Sequence, residues 1–244
     1  MKLVFLGTSH GFVEVGCFCT ATLLETGGAY YLIDCGAPVE ALMKNKGKSL
    51  DHVRGIFITH MHEDHVASLS SVLKDFGRRT STACATFFFP EKAGIEAFLA
   101  WVRAIHGRTK NDRIQFDVSA PGVFFENEDI RVSGILTDHI KGYPTYAYRF
   151  ELKKENKKIL FTGDVCGDMH DFPKEAQNEE WDVVVSELTH FHIEEHIELF
   201  KSIQTKQMIF THKHRQNLEV MDRVIPQLPY PVHIACDGDE FETE

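Results

Sequence analysis

The stretch that decides the fold is IFITHMHEDHVASL, residues 56–69. An apolar run, Ile56 to Ile58, ends at Thr59, and then His60, His62, Asp64 and His65 fall within six residues. Helical spacing resumes after Val66, so the segment reads as a strand running into a helix through a loop that carries three imidazoles and a carboxylate. Imidazole nitrogen and carboxylate oxygen are donors that suit zinc and its first-row neighbours. His60 and His62, two apart on extended chain, can converge on one ion, while Asp64 and His65 turn toward a second. A chance polar loop is the weaker reading, because four candidate ligands stand directly behind a buried strand.

Outward from that loop, runs rich in β-branched and aromatic residues recur. They are Leu3–Leu6, Thr20–Leu24, Tyr30–Ile33, Gly55–Ile58, Ala85–Phe89, Val123–Phe125, Ile130–Ile135, Tyr146–Phe150, Ile159–Phe161, Val183–Val185, Met208–Phe210 and Val232–Ala235. Each reads as a strand. Between them, Leu69, Val72, Leu73 and Phe76 keep helical period, as do Ile95, Phe98, Leu99, Val102 and Ile105, and more briefly Ile193, Ile197 and Phe200. These stripes are taken as core-facing. Lys44 to Lys48 and Lys153 to Lys158 read as surface turns. Strand pairs interleaved with helices predict an α/β chain of mixed sheets covered by helices, and a single domain over residues 1–244 is expected.

Composition narrows the classes. The 244 residues carry 26 basic against 36 acidic side chains, a net charge of −10. A phosphate backbone would be repelled over most of such a surface, which argues against broad, sequence-blind nucleic-acid binding. No run approaches the ~18 apolar residues of a spanning helix, so a membrane-integral protein is not expected. The opening MKLVFLGTSHGF reads as a first strand rather than a signal peptide. The six cysteines, Cys17, Cys19, Cys35, Cys84, Cys166 and Cys236, do not suggest a disulfide framework in a chain of this size, and the cytosol follows as the default compartment.

The HxHxDH spacing of residues 60–65 resembles the metallo-β-lactamase superfamily, and further matches extend that resemblance over essentially the whole chain. TDHIKGYPTYAYRFE offers His139, KKILFTGD offers Asp164, QMIFTHKHR offers His212, and the upstream YLIDCG supplies Asp34. The resemblance implies a four-layer αββα sandwich of two mixed sheets flanked by helices. It implies that His60, His62 and His139 bind one metal, that Asp64, His65 and His212 bind another, and that Asp164 bridges. Asp34 would fix a ligand imidazole's tautomer by accepting its other N–H. His214 rivals His212, which is preferred because it directly follows its strand. Two divalent ions are implied, zinc by default, with manganese or iron accepting the same ligands.

Within the superfamily, FLGTSHGFVEVGCFC at the start and HIACDGDEFE at the tail resemble the ribonuclease Z-like and cyclic-phosphodiesterase group. The two-metal ligand set with Asp64 points the same way. In SELTHFHIEEHIELF, Glu187 and His190 match the residues that line the phosphate pocket in that group, with His192 and His196 as alternatives for the histidine. Asp64, Glu187 and His190 are therefore the candidate catalytic residues. His190 would contact a phosphate oxygen or protonate the leaving alkoxide. The chain departs from ribonuclease Z in one respect: only 25 residues separate His139 from Asp164, too few for a tRNA-gripping arm. Cys17 and Cys19 lack the partners of a structural metal and are expected to be buried small residues, and His10 could project into the mouth of the site.

The function these features imply is hydrolysis of a small nucleotide-like or cyclic phosphodiester, with a metal-bridging hydroxide as nucleophile. A lactone or thioester hydrolase on the same scaffold is the alternative. A nuclease on RNA or DNA ends would need a basic stripe, for which Arg78, Arg79, Arg103, Arg108, Lys110 and Arg113 are the nearest residues. A non-catalytic metal-binding module would keep the ligands without turnover. The expected partner is a small-molecule phosphodiester, not tRNA and not a membrane, and a homodimer is an allowed assembly.

Overall fold

The structure, a computed structural model, describes residues 1–78 and 84–243. Its chain contacts gather into two compact units, one of residues 1–119 with the C-terminal residues from Asp237 on, the other of Ala120–Cys236. Each holds one seven-stranded mixed sheet flanked by helices.

In the first unit, β1 (Lys2–Gly7), β2 (Ala21–Thr26) and β3 (Ala29–Ile33) form an antiparallel meander. The β2–β3 turn is Gly27–Gly28, both at positive φ (62° and 86°), the backbone that a two-residue hairpin with right-handed strand twist requires. From β3 the chain crosses over through α1 (Val39–Asn45) to β4 (Val53–Phe57). It then passes through α2 (Glu63–Val66) and α3 (Leu69–Arg78) to β5 (Ala85–Phe89), and through α4 (Lys92–Ala104) to β6 (Ile114–Val118). These four strands are parallel. Parallel strands covered on both faces read as apolar runs. Ile56, Ile58, Phe87 and Phe89 join Val72 and Phe76 of α3 in one core, while Phe57 and Phe88 on the opposite face stack at 4.9 Å.

The second unit runs from β7 (Gly122–Glu126) through β8 (Ile130–Thr137) and β9 (Thr145–Leu152) to β10 (Lys157–Phe161), each pair antiparallel. β11 (Val183–Leu188), β12 (Met208–Lys213) and β13 (Val232–Ile234) follow, parallel to β10. Short helices α5 (Glu175–Asn178), α6 (Ile197–Ser202), α7 (Arg215–Leu218) and α8 (Met221–Val224) lie in the crossovers. Phe172, Trp181, Phe191, Phe200 and Phe210 anchor this unit's core. The chain then returns to the first sheet, where β14 (Glu240–Glu242) pairs with β1.

Direction within each sheet positions the chemistry. In the first sheet β1 is antiparallel to β2 and β2 to β3, so β1, β3 and β4 end at one edge. In the second, β8 and β10 both oppose β9, so β8, β10, β11 and β12 also end together. Ligands of open α/β sheets sit beyond such carboxyl ends.

Several expectations need correction. β6, IQFDV, is a strand beyond those expected, an edge strand whose alternating polar residues dilute its apolar run. Lys44 lies in the last turn of helix α1 rather than opening a surface turn. Ile105 stands one residue past α4 and is 46 % exposed, so it is not core. Ile193 lies in a 3-10 turn, Ile193–His196, that precedes α6, so the third helical stripe is two short pieces.

Candidate metal centre

At the edge of the first sheet, residues 59–65 follow β4 directly. Asp34, one residue past β3, takes a left-handed backbone (φ 58°), a conformation that non-glycine residues seldom adopt and that clusters at functional sites. Its carboxylate accepts the Thr59 backbone N–H at 2.8 Å and the Thr59 hydroxyl at 2.9 Å, and meets His65 Nδ1 at 2.8 Å. With Nδ1 donating to that carboxylate, His65 offers its Nε2 lone pair to a ligand. Gly36 lets this loop close on α2, since a Cβ there would lie 1.6 Å from the Asp64 carbonyl oxygen.

The donor spacing suits a cation. His65 Nε2 lies 3.6 Å from Asp64 Oδ2, while His60 Nε2 and His62 Nδ1 approach to hydrogen-bond distance, 2.9 Å. Donors ~2.1 Å from a tetrahedral zinc stand about 3.4 Å apart. Asp64 and His65 are buried, as is His60.

In the second unit, His139 follows β8, Asp164 follows β10, Glu187 lies in β11 with His190 two residues beyond it, and His212 lies in β12. His212 Nε2 is 3.6 Å and His139 Nε2 3.9 Å from Asp164 Oδ2. His139 Nδ1 faces the Val165 carbonyl at 3.2 Å, which again makes Nε2 the nitrogen that could hold a metal. One ligand atom each from Asp164, Glu187, His190 and His212 falls within 4.8 Å of the others. His212 is not past its strand, as expected, but inside it at φ 45°. His214, the rival, is half-buried and caps α7 by accepting the Gln216 N–H.

Glu187 and His190 form a unit of their own. The buried Glu187 carboxylate accepts N–H bonds from Val165 (2.7 Å), Thr189 (3.1 Å) and His190 (2.9 Å), and meets His190 Nδ1 at 2.8 Å. His190 Nδ1 is 3.8 Å from Asp164, and its ring stacks against His212 at 5.6 Å. His192 is exposed, and His196 packs edge-on against Phe191 on the core side, so neither shares this cluster.

Two contributors carry no motif of their own. Thr59 sits among Asp34, His60 and His65, its hydroxyl 3.1 Å from His60 Nδ1. Asp171 accepts the N–H groups of Asp138 and Cys166, each at 2.8 Å, and so ties the His139 loop to the Asp164 loop. Thr59 directly precedes the motif, yet nothing in the sequence marks the role of either Thr59 or Asp171.

Other expectations resolve differently. Cys17 and Cys19 are half-buried rather than buried. Burial and then the Asp64 carboxylate push the Cys19 thiol above its ordinary range. His10 is 6 % exposed, with Nδ1 accepting the Phe12 N–H. Of the basic residues, Arg113 donates to the Phe76 carbonyl, and Arg108 and Lys110 line a cavity of about 530 Å³ with Lys74, Leu73 and Val102. Arg79 and the Arg78 side chain lie outside the described residues.

Comparison with known proteins places this geometry. The chain is 33% identical over 153 residues to ribonuclease Z of Anoxybacillus flavithermus, a match covering 61% of this chain and 47% of that protein. The chain thus spans about half the length of the curated relatives it matches. Its fold superposes on the metallo-β-lactamase fold protein YhfI from Bacillus subtilis with a TM-score of 0.78 at 17% identity, over 99% of both chains. It superposes on a diphosphatase of the PhnP family with a TM-score of 0.74 at 18% identity, over 100% of this chain and 98% of that one. The fold is therefore that of the metallo-β-lactamases. A family profile described as "Anti-Pycsar protein Apyc1" matches residues 1–224, and the chain belongs to that family.

Proposed function

We propose that this protein is a dinuclear-metal hydrolase of a small, nucleotide-like phosphodiester, cyclic or linear. His60, His62 and His139 hold one divalent cation in this reading, Asp64, His65 and His212 a second, and Asp164 both. Zinc is the proposed metal, on the imidazole-rich donor set. When bound, such a pair supplies an acidified water and neutralises charge on the phosphoryl oxygens.

The observation that carries the phosphodiester reading is the Glu187–His190 pair. A carboxylate saturated by three backbone N–H groups fixes the His190 ring through Nδ1 at 2.8 Å, beside Asp164 and His212. The ring's other nitrogen is thereby turned toward substrate, where it donates a proton to a phosphoryl oxygen or to the departing alkoxide. A ribonuclease Z and a diphosphatase among the similar proteins support a phosphorus ester over a lactone or thioester. The interval between His139 and Asp164 is filled by β9, a tight turn and β10, which favours a small substrate over a tRNA. The proposal extends to a homodimer and to the cytosol, the latter on the cysteine argument above.

A panel assay tests it: bis(p-nitrophenyl) phosphate and 2′,3′-cyclic nucleotides against a lactone and a cephalosporin, each with added Zn²⁺ or Mn²⁺. Turnover of the phosphodiesters is expected. Turnover of the lactone alone would overthrow the phosphodiester reading and leave the fold intact.

A further inference from the structure

The loop between β1 and β2 presents apolar side chains to water that no core requires. Phe12 is 88 % exposed, Val13 60 %, Val15 103 % and Phe18 42 %. Single exposed apolar residues are ordinary, but four within seven positions call for a covering ligand. Their backbone is nonetheless held in place. Ser9 N–H donates to the Phe18 carbonyl at 2.8 Å, and the Ser9 hydroxyl accepts the Glu14 N–H at 3.0 Å. His10 Nδ1 accepts the Phe12 N–H at 3.3 Å, and Asp237 takes both the Thr8 hydroxyl at 2.7 Å and the Phe18 N–H at 2.6 Å.

The same loop starts beside the proposed metal ligands. β1 ends at the sheet edge that also carries residues 59–65, and a methyl group built on Gly11 would lie 3.4 Å from Asp64 Oδ2. Phe12 is the next residue, its Cα about 3.8 Å further along the chain. An anchored backbone thus sets one aromatic ring, tilted at 58° to the His10 ring 6.3 Å away and otherwise open to water, at the margin of a site proposed to take a phosphate. The ligand that fits has a charged phosphate at one end and a flat apolar face at the other.

Resting on the function proposed above, we propose that Phe12 is a specificity-determining residue whose ring stacks on the heterocyclic base of the phosphodiester substrate. Base–aromatic stacking is sequence-tolerant because every base has a π-face, and its loss weakens binding by about five- to a hundredfold. Phe12 selects for the base and takes no part in bond breaking.

The test compares wild type with Phe12→Ala, Phe12→Trp and Val15→Ala. Each is assayed on a 2′,3′-cyclic nucleotide and on the base-free methyl riboside cyclic phosphate. Equilibrium dialysis of a nucleoside 5′-monophosphate gives a second readout that needs no turnover. For Phe12→Ala we expect KM for the nucleotide and Kd for the monophosphate to rise about five- to a hundredfold, with KM for the base-free substrate unmoved. Phe12→Trp should restore both, and Val15→Ala should match wild type. Unchanged nucleotide KM in Phe12→Ala overturns the inference and leaves the hydrolase reading standing. An equal rise for the base-free substrate overturns it too, because stacking is then not the interaction. A lowered mass by light scattering with KM unmoved would make the loop an interface between copies, again against the inference. If wild type turns over neither phosphodiester yet binds the monophosphate through Phe12, the function fails and the stacking site stands. If it does neither, both fall.

Discussion

Asp34 and His65, 31 positions apart in sequence, meet at 2.8 Å through Asp34 Oδ2 and His65 Nδ1, both side chains almost fully buried. The pairing links the carboxyl ends of two adjacent parallel strands, β3 and β4, and leaves His65 one nitrogen for ligation. Asp34→Asn keeps the shape and removes the charge that orients the ring. Losing such a carboxylate costs roughly 10–100-fold in metal affinity. Zinc affinity measured by competition with a chelator should fall within that range while the far-ultraviolet circular dichroism stays as in wild type.

Glu187→Gln trades an acceptor-only carboxylate, ringed by three N–H donors and an imidazole, for an amide that must point donors at some of them. A buried donor left unmatched costs about 1–3 kcal/mol. Urea denaturation should show a loss of that size with the slope unchanged, and the activity lost should exceed what reduced folding explains, because His190 is no longer fixed.

His190→Ala removes a ring with one-third of its surface exposed that lies beside the proposed ligands without being one of them. Metal content should be as in wild type. General acid–base catalysis contributes about 10²–10⁴-fold, so kcat should fall by up to that factor, most for phosphodiesters with poor leaving groups. If neither kcat nor KM moves, the proton-donor role is wrong.

His170 lies on the loop after β10, with Nδ1 2.5 Å from Asp168. That hydrogen bond, ahead of weaker ones, holds the His170 imidazolium above the ordinary histidine range and the Asp168 carboxyl below its own. The protonated ring is the favoured form, so the pair is fully formed below the ordinary histidine pKa of about 6.5 and is lost as pH rises through His170's higher value. A nuclear magnetic resonance titration should place the His170 midpoint above about 6.5, and Asp168→Asn should bring it down.

How far the sequence could be read depended on where the information sits. His60, His62, Asp64 and His65 fall within six residues, so their spacing alone suggests metal chemistry. Asp34, His139, Asp164 and His212 were picked out by resemblance to the superfamily; each stands at or just beyond the end of an apolar run, where strand direction brings it to a sheet edge. Thr59 and Asp171 were not, since a hydroxyl or carboxylate that acts only through tertiary hydrogen bonds leaves no periodic trace. Edge strand β6 escaped because one exposed face dilutes its apolar run, and Ile105 misled because it keeps helical period one residue beyond the helix it seems to extend. Glu187 was identified by resemblance, but the four donors around it could come only from coordinates.

The most direct test is elemental analysis of protein purified without chelator, alongside Asp164→Ala. The account predicts about two divalent cations per wild-type chain, and weakened retention of both in the variant because Asp164 is proposed to be shared between them. A wild-type chain that holds no ion after zinc reconstitution, or an Asp164→Ala chain that holds its ions as firmly as wild type, would contradict it.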